Sequence, residues 1–213
     1  MKENTLSDIR EALMRGDRDG VVKFVKAALG EGVEIRELMD GALIAAMDVI
    51  GRKFKANEIF IPEVLISAKA MHAGIAILEP HFAKFGIKPV GKVVIGTVKG
   101  DLHDIGKNIV SMMFKGACFD IDDLGIDVSP EKFVDRAKAK GVDIVAMSSL
   151  LTTSMNAMKD TVKALEAAGL RDKIKIMVGG APVTQEFADA IGADGYAKDA
   201  ATAVDKAKEL LKK

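Results

Sequence analysis

The chain has a single cysteine, no tryptophan, one tyrosine and only three histidines among 213 residues. With Cys118 alone, no internal disulfide can form, and a reducing cytoplasm fits. Cys118 itself reads as a small apolar residue near a strand. An excess of either charge is also missing, since 31 basic residues balance 31 acidic ones. That excludes the electrostatic footprint of a nucleic-acid or anionic-membrane binder. The opening Met1–Leu6 lacks the apolar core of a signal peptide, and no apolar run reads as long enough to span a bilayer. The expectation is a cytoplasmic protein with no nucleic acid and no membrane among its partners.

What is present is apolar mass. Residues of hydrophobic type make up 49% of the chain, enough for one large domain or two small ones. Up to about Phe85 the period is helical only. Ile9, Ala12 and Leu13 share a face, as do Val21, Phe24, Val25, Ala28 and Leu29. A longer stripe runs from Ile35 to Ile50, and another through Val64, Leu65, Ala68, Met71, Ile75 and Leu78. Gly16, Gly30-Glu31-Gly32 and the segment 57–62 separate them, and Asp17 or Asp19 can cap the second helix. The pattern predicts a four-helix bundle over 1–85. Gly86, Pro89 and Gly91 then mark a linker at 86–91.

From 92 to 213 short apolar runs alternate with helical stretches. Strands are expected at 93–98, 119–122, 143–148, 173–178 and 195–197, each followed by a helix. Five such units predict a flavodoxin-like or Rossmann-like parallel sheet covered on both faces, an α/β domain. In such a sheet ligands bind beyond the carboxyl ends of the strands, where strand order reverses. In the order 2-1-3-4-5 the loops after the first and third strands face each other. The first of these loops holds Gly100, Asp101, His103, Asp104, Ile105 and Gly106. The third strand is followed by Ser148, Leu150, Thr152 and Ser154, and the fourth by Gly179 and Gly180.

His103 is the one histidine of this half. Two readings stand: an ordinary loop histidine bonded to a nearby aspartate, or a metal ligand whose second ring nitrogen is held by Asp101. Zinc would want three or four protein ligands, and no cysteine or second histidine lies near. A single axial histidine instead suits a metal already held in a macrocycle. Haem sites usually lie among helices and aromatics, unlike this loop in a chain so poor in aromatic residues.

The residues now resemble a family. Asp101-Leu102-His103-Asp104-Ile105-Gly106, Ser148-Ser149-Leu150 and Gly179-Gly180 match the triple motif of cobalamin-binding domains in corrinoid methyl carriers. The helical half resembles the cap that precedes this domain in methionine synthase and in the methylamine- and methanol-type corrinoid subunits of methanogens and acetogens. The resemblance implies cobalamin or a related corrinoid, used as methylcobalamin and in its cob(I), cob(II) and cob(III)alamin forms. It implies His103 on the cobalt, with Asp101 and Ser154 as a relay tuning its basicity. It places Ser148, Leu150 and Thr152 along a slot for the displaced nucleotide tail, with Gly179 and Gly180 allowing close approach. Phe54 and Ile61 fall where relatives press apolar side chains over the corrin, although core packing explains such positions equally. His72 and His81 read as non-ligands.

The same resemblance implies no turnover by the chain alone. A substrate-specific corrinoid methyltransferase would load it, and a second methyltransferase using tetrahydrofolate or coenzyme M would unload it. A reductive activase would restore the cofactor. The alternative is a cobalamin-binding sensor or regulatory module. A methylamine or quaternary amine is the favoured donor, although no residue compels it.

Overall fold

A computed structural model describes residues 2–85 and 89–212. Its contacts divide the chain into two compact units, Met1–Pro89 with Lys115–Cys118, and Val90–Phe114 with Phe119–Lys213.

The first unit is helical. It contains α1 (Lys2–Met14), α2 (Arg18–Gly30), α3 (Ala45–Lys55) and α4 (Ile61–Phe85). Asp17 caps α2, its carboxylate accepting from Gly20 N–H at 2.9 Å. The stripe expected as one helix from Ile35 to Ile50 is wound differently at its start. Glu37–Ile44 forms a π-helical segment that runs straight into α3. The paired apolar residues Leu38–Met39 and Ala42–Leu43 are all buried, and that spacing keeps one face inward in either winding. Pro62, expected in the preceding loop, lies inside the first turn of α4, where a missing N–H costs nothing.

α4 corrects one expectation. Within it, Ile61–His81 is long and apolar enough, by length and composition, to cross a bilayer. Its Ala, Ile, Leu and Met are interrupted by Glu63, Lys69 and Glu79, so no continuous run announces it. In the fold it buries Val64, Ala68, Met71 and Leu78. At Gly74 a Cβ would come within 3.0 Å of Val21 and 3.1 Å of Leu43. One side of the helix is packed within its own unit, and length and composition alone do not make it a membrane span.

The second unit is a parallel sheet of five strands in the order β2-β1-β3-β4-β5. The strands are β1 (Lys92–Thr97), β2 (Asp120–Asp123), β3 (Val142–Ser148), β4 (Lys175–Gly179) and β5 (Gly195–Ala197). Between and after them run α5 (Ile105–Gly116), α6 (Pro130–Ala137), α7 (Met155–Ala167), α8 (Gln185–Ile191) and α9 (Ala200–Leu211). Side chains cap the helix starts: Ser129 caps α6 with Pro130 at its first turn, Thr184 caps α8 and Asp199 caps α9. One face of the sheet packs Val94, Val145, Met147, Ile176 and Val178 against Phe133, Met158, Val162 and Leu165. Alternate residues Val93, Ile95, Ile144 and Met177 are buried as well, so both faces are covered. Each large side chain fully buried this way contributes about 2 kcal/mol. In the middle of β1, Gly96 makes room for the ring of Phe133, which a Cβ would meet at 3.0 Å.

Of the expected linker, residues 86–88 lie outside the described residues. Gly91 already serves the sheet, its carbonyl accepting Asp120 N–H at 2.9 Å. Cys118 stands in a left-handed turn (φ 64°) just before β2.

Candidate functional site at the carboxyl edge of the sheet

Because β1 lies between β2 and β3, crossovers leave it in opposite directions. The loops after β1 and β3 meet there, as the topology requires. Asp101 is the point of contact. Its side chain is fully buried, yet four donors reach it. Oδ1 accepts the backbone N–H of His103 at 3.0 Å and faces His103 Nδ1 at 2.7 Å. Oδ2 accepts Leu150 N–H at 2.6 Å and the Ser154 hydroxyl at 3.2 Å. Burial alone would raise the pKa of Asp101. The N–H groups of His103 and Leu150, with the His103 and Ser154 side chains, outweigh it and hold the value down at about 2.

An ionised Asp101 can only accept, so the proton between it and His103 sits on Nδ1. Nε2 then carries a lone pair on the far side of the ring. The His103 side chain is 52% exposed, and no group among the described residues bonds Nε2. The backbone is pinned from behind: Thr97 Oγ1, fully buried at the end of β1, donates to His103 O at 2.9 Å. The loop after β2 braces the turn, with Gly100 N–H donating to Asp127 at 2.8 Å and Asp127 N–H to Asp101 O at 3.1 Å. Gly100 takes φ +83°, a turn conformation that suits glycine.

Beyond His103 the first turn of α5 is anchored by a buried cation. Lys107 Nζ lies 2.7 Å from Asp123 Oδ1, at the end of β2, and 2.7 Å from Asn108 Oδ1. Asn108 in turn donates to Asp104 at 2.9 Å. Around the histidine the surface carries large apolar side chains. Leu102 is 67% and Ile105 76% exposed, and Leu150 and Leu151 are exposed across the switch point. Gly106 has open space where a Cβ would stand, so no packing inside the protein explains a glycine there. Nothing among the described residues groups three or more His, Cys, Asp or Glu as metal ligands. The donor set is therefore one histidine nitrogen among exposed apolar side chains. That fits a metal delivered inside a large, flat, mostly apolar ring, and does not fit a bare ion.

Two regions match known families. Residues 91–205 match a B12 binding domain, and residues 5–79 match a second B12 binding domain model. The chain belongs to the B12-binding corrinoid protein family. Its cofactor is a corrinoid. A corrinoid protein of Desulfitobacterium hafniense is 42% identical over 211 residues, spanning 98% of each chain. The dimethylamine corrinoid protein of Methanosarcina barkeri is 44% identical over 213 residues, spanning 99% of each. Among solved structures, the methanol:cobalamin methyltransferase complex of Methanosarcina barkeri matches with a TM-score of 0.87 and 33% identity. That match covers 99% of this chain and 81% of the other. A cobalamin-binding protein from Desulfitobacterium hafniense matches with a TM-score of 0.81 and 32% identity, covering 96% and 98%.

In this corrinoid protein the fold gathers Asp101, His103, Leu150 and Ser154 into one bonded group. Ser148 ends β3 beside Gly179, and Thr152 is exposed on the loop that follows. For the two glycines the structure supplies a reason within the chain. A Cβ on Gly180 (φ +131°) would collide with Ser149 O, and one on Gly179 would stand 3.0 Å from Ala197 O. The close approach they permit includes that of Ser149 and of the end of β5. In the helical unit Phe54 is half-buried, while Ile61 is exposed beside Phe60 and so is not core. His72, half-buried on α4, has its pKa lowered by burial, and His81 is exposed. Sequence reasoning missed Thr97, Lys107, Asp123 and Ser149. Thr97 and Lys107 flank the motif closely enough to be candidates. Ser149 lies within the second motif segment at its variable position, while Asp123 carries no signal until the fold brings its partner near.

Proposed function

We propose that this chain is the methyl-carrying corrinoid subunit of a multi-component methyltransferase system. The observation that supports it most is the state of His103: Nδ1 held by a buried carboxylate, Nε2 left free in an apolar, half-open setting. Bound corrinoid supplies a cobalt centre that takes up a methyl group and gives it up again. The chain's own part is to bind, orient and protect. His103 would hold the cobalt through Nε2. Asp101 fixes the ring's tautomer and direction, and Ser154 holds Asp101. Leu102, Ile105, Leu150 and Leu151 cover apolar cofactor surface and keep water from it. Ser148, Thr152, Gly179 and Gly180 are assigned to the edge that receives the nucleotide tail. Phe54 and Ile61, in the helical unit, are assigned as further corrinoid contacts on the strength of the family resemblance.

Partner enzymes supply the rest. One substrate-specific methyltransferase loads the carrier, and a second, using tetrahydrofolate or coenzyme M, unloads it. A reductive activase returns the cofactor to its working state. Several relatives are named for dimethylamine, so a methylated amine is the first donor to assay. The deciding test is a titration of apoprotein with hydroxocobalamin beside His103→Ala. Stoichiometric retention with a visible spectrum that changes in the variant is expected. A well-folded wild type that retains no corrinoid overturns the proposal.

A further inference from the structure

Behind the Asp101–His103 pair lies a second hydroxyl. Ser149 is fully buried, and its Oγ stands 2.7 Å from Ser154 Oγ and 3.0 Å from Leu151 O. Ser154 Oγ also lies 3.0 Å from Leu151 O and 3.2 Å from Asp101 Oδ2. Two hydroxyl protons must therefore serve four contacts, and counting them settles their directions. The shortest contact, between the two hydroxyls, must contain a proton. If Ser154 gave its proton to Ser149, its oxygen would face the Asp101 carboxylate with no hydrogen between them. If Ser149 gives its proton to Ser154, the Ser154 proton is free for Asp101. Leu151 O does not need either hydroxyl, because Ser154 N–H already donates to it at 3.2 Å. The one arrangement that fills every need runs Ser149 to Ser154 to Asp101 to His103.

The position of Ser149 is itself enforced. Its N–H donates to Gly179 O at 3.1 Å, and its carbonyl occupies the space a Cβ on Gly180 would require. The end of β4 thus sets where the Ser149 hydroxyl points.

We infer that Ser149 is a positioning residue for the histidine: by donating to Ser154 it pins that hydroxyl onto Asp101, and so holds the His103 ring with Nε2 outward. The inference rests on His103 being the cobalt ligand, yet it has a readout that needs no cofactor. Hydrogen bonds in such a chain polarise one another, so loss at the far end is felt at the near end.

The experiment compares wild type with Ser149→Ala, Ser149→Thr, Ser154→Ala, the Ser149→Ala/Ser154→Ala double variant and His103→Ala. Nitrogen-15 NMR of the three histidines reads the tautomer of His103 in apoprotein, with His103→Ala giving the assignment. Electron paramagnetic resonance of protein loaded with cob(II)alamin reads the fraction with an axial imidazole. In Ser149→Ala the ratio of Nδ1–H to Nε2–H tautomer should fall by about fivefold, the equivalent of one hydrogen bond. The ratio of ligated to unligated cobalt should fall alongside it. Ser149→Thr, which keeps the hydroxyl, should stay nearer wild type than Ser149→Ala. The double variant should match Ser154→Ala, since Ser149 acts through Ser154. A Ser149→Ala tautomer ratio equal to wild type, or a double variant worse than Ser154→Ala by the full single-variant loss, overturns the inference. Imidazole coupling absent from wild type itself refutes instead the assignment of His103 to cobalt, and the apoprotein tautomer ratios still decide the role of Ser149.

Discussion

At the scale of single residues the site is organised by one buried carboxylate. Asp101 accepts from two backbone N–H groups, a hydroxyl and an imidazole, two of them from His103 in its own loop and two from the loop after β3. Its pKa is depressed in the folded state to about 2, so folding favours its ionised form. That contribution is fully present above the unfolded carboxylate value near pH 4 and is lost as pH falls through 2. Asp101→Asn is expected to destabilise apoprotein by roughly 2 kcal/mol at pH 7, with the gap narrowing below pH 4. Urea unfolding of both proteins at pH 7 and at pH 3 checks this. A gap that does not change with acidification would mean the carboxylate's charge contributes nothing to the fold.

At the scale of elements, α5 is where stability and binding pull apart. Its first turn begins with exposed Ile105 and Gly106, a β-branched residue and a glycine, neither a strong helix former. Glycine costs a helix about 1 kcal/mol relative to alanine, and nothing in the protein occupies the space beside Gly106. Gly106→Ala should therefore raise the apoprotein melting temperature by about 2–4 °C, as expected for a chain of this size. It should at the same time weaken corrinoid retention, measured by equilibrium dialysis, because the methyl group fills space assigned to the cofactor. Tighter folding with unchanged retention would show that the cofactor does not lie against this turn. Lys107 offsets part of the glycine's cost by tying the same turn to Asp123 through an ion pair whose lysine end is buried. Removing one partner of such a pair leaves a charge uncompensated, so the tie holds only as a pair.

At the scale of the whole molecule, the residues assigned to holding the cobalt and bracing its histidine all lie in one unit. Asp101, His103, Ser149, Ser154 and Gly180 belong to Val90–Phe114 and Phe119–Lys213, which has its own apolar core. A fragment of residues 90–213 is expected to fold and to bind cob(II)alamin with an axial imidazole signal, although less tightly than the full chain. The end of α5, Lys115–Cys118, groups with the helical unit and is the part the fragment should hold least well. Circular dichroism and electron paramagnetic resonance of the fragment provide the check. A folded fragment without imidazole coupling would place a necessary ligand or brace in residues 1–89.

The sequence by itself carried the periodicities, the cap at Asp17 and the order of segments. These are local properties: Asp17 acts on an N–H group within three residues, and apolar spacing follows from the helix and strand repeats. It also carried the triple motif, and so His103, Asp101 and Ser154 by number. It did not carry the π winding of Glu37–Ile44, since paired apolar residues face inward in either geometry. Nor did it reveal α4 as a long apolar helix, because single charges break every run. What only the tertiary structure decided is which groups bond to one another. Ser149 and Ser154 are five positions apart, but Asp101 is a further 48 residues before Ser149, and Gly180 and Asp123 come from other strands. Parallel strands joined by crossovers bring such residues together at one edge. The bonds between them depend on angles and distances that no spacing along the chain encodes.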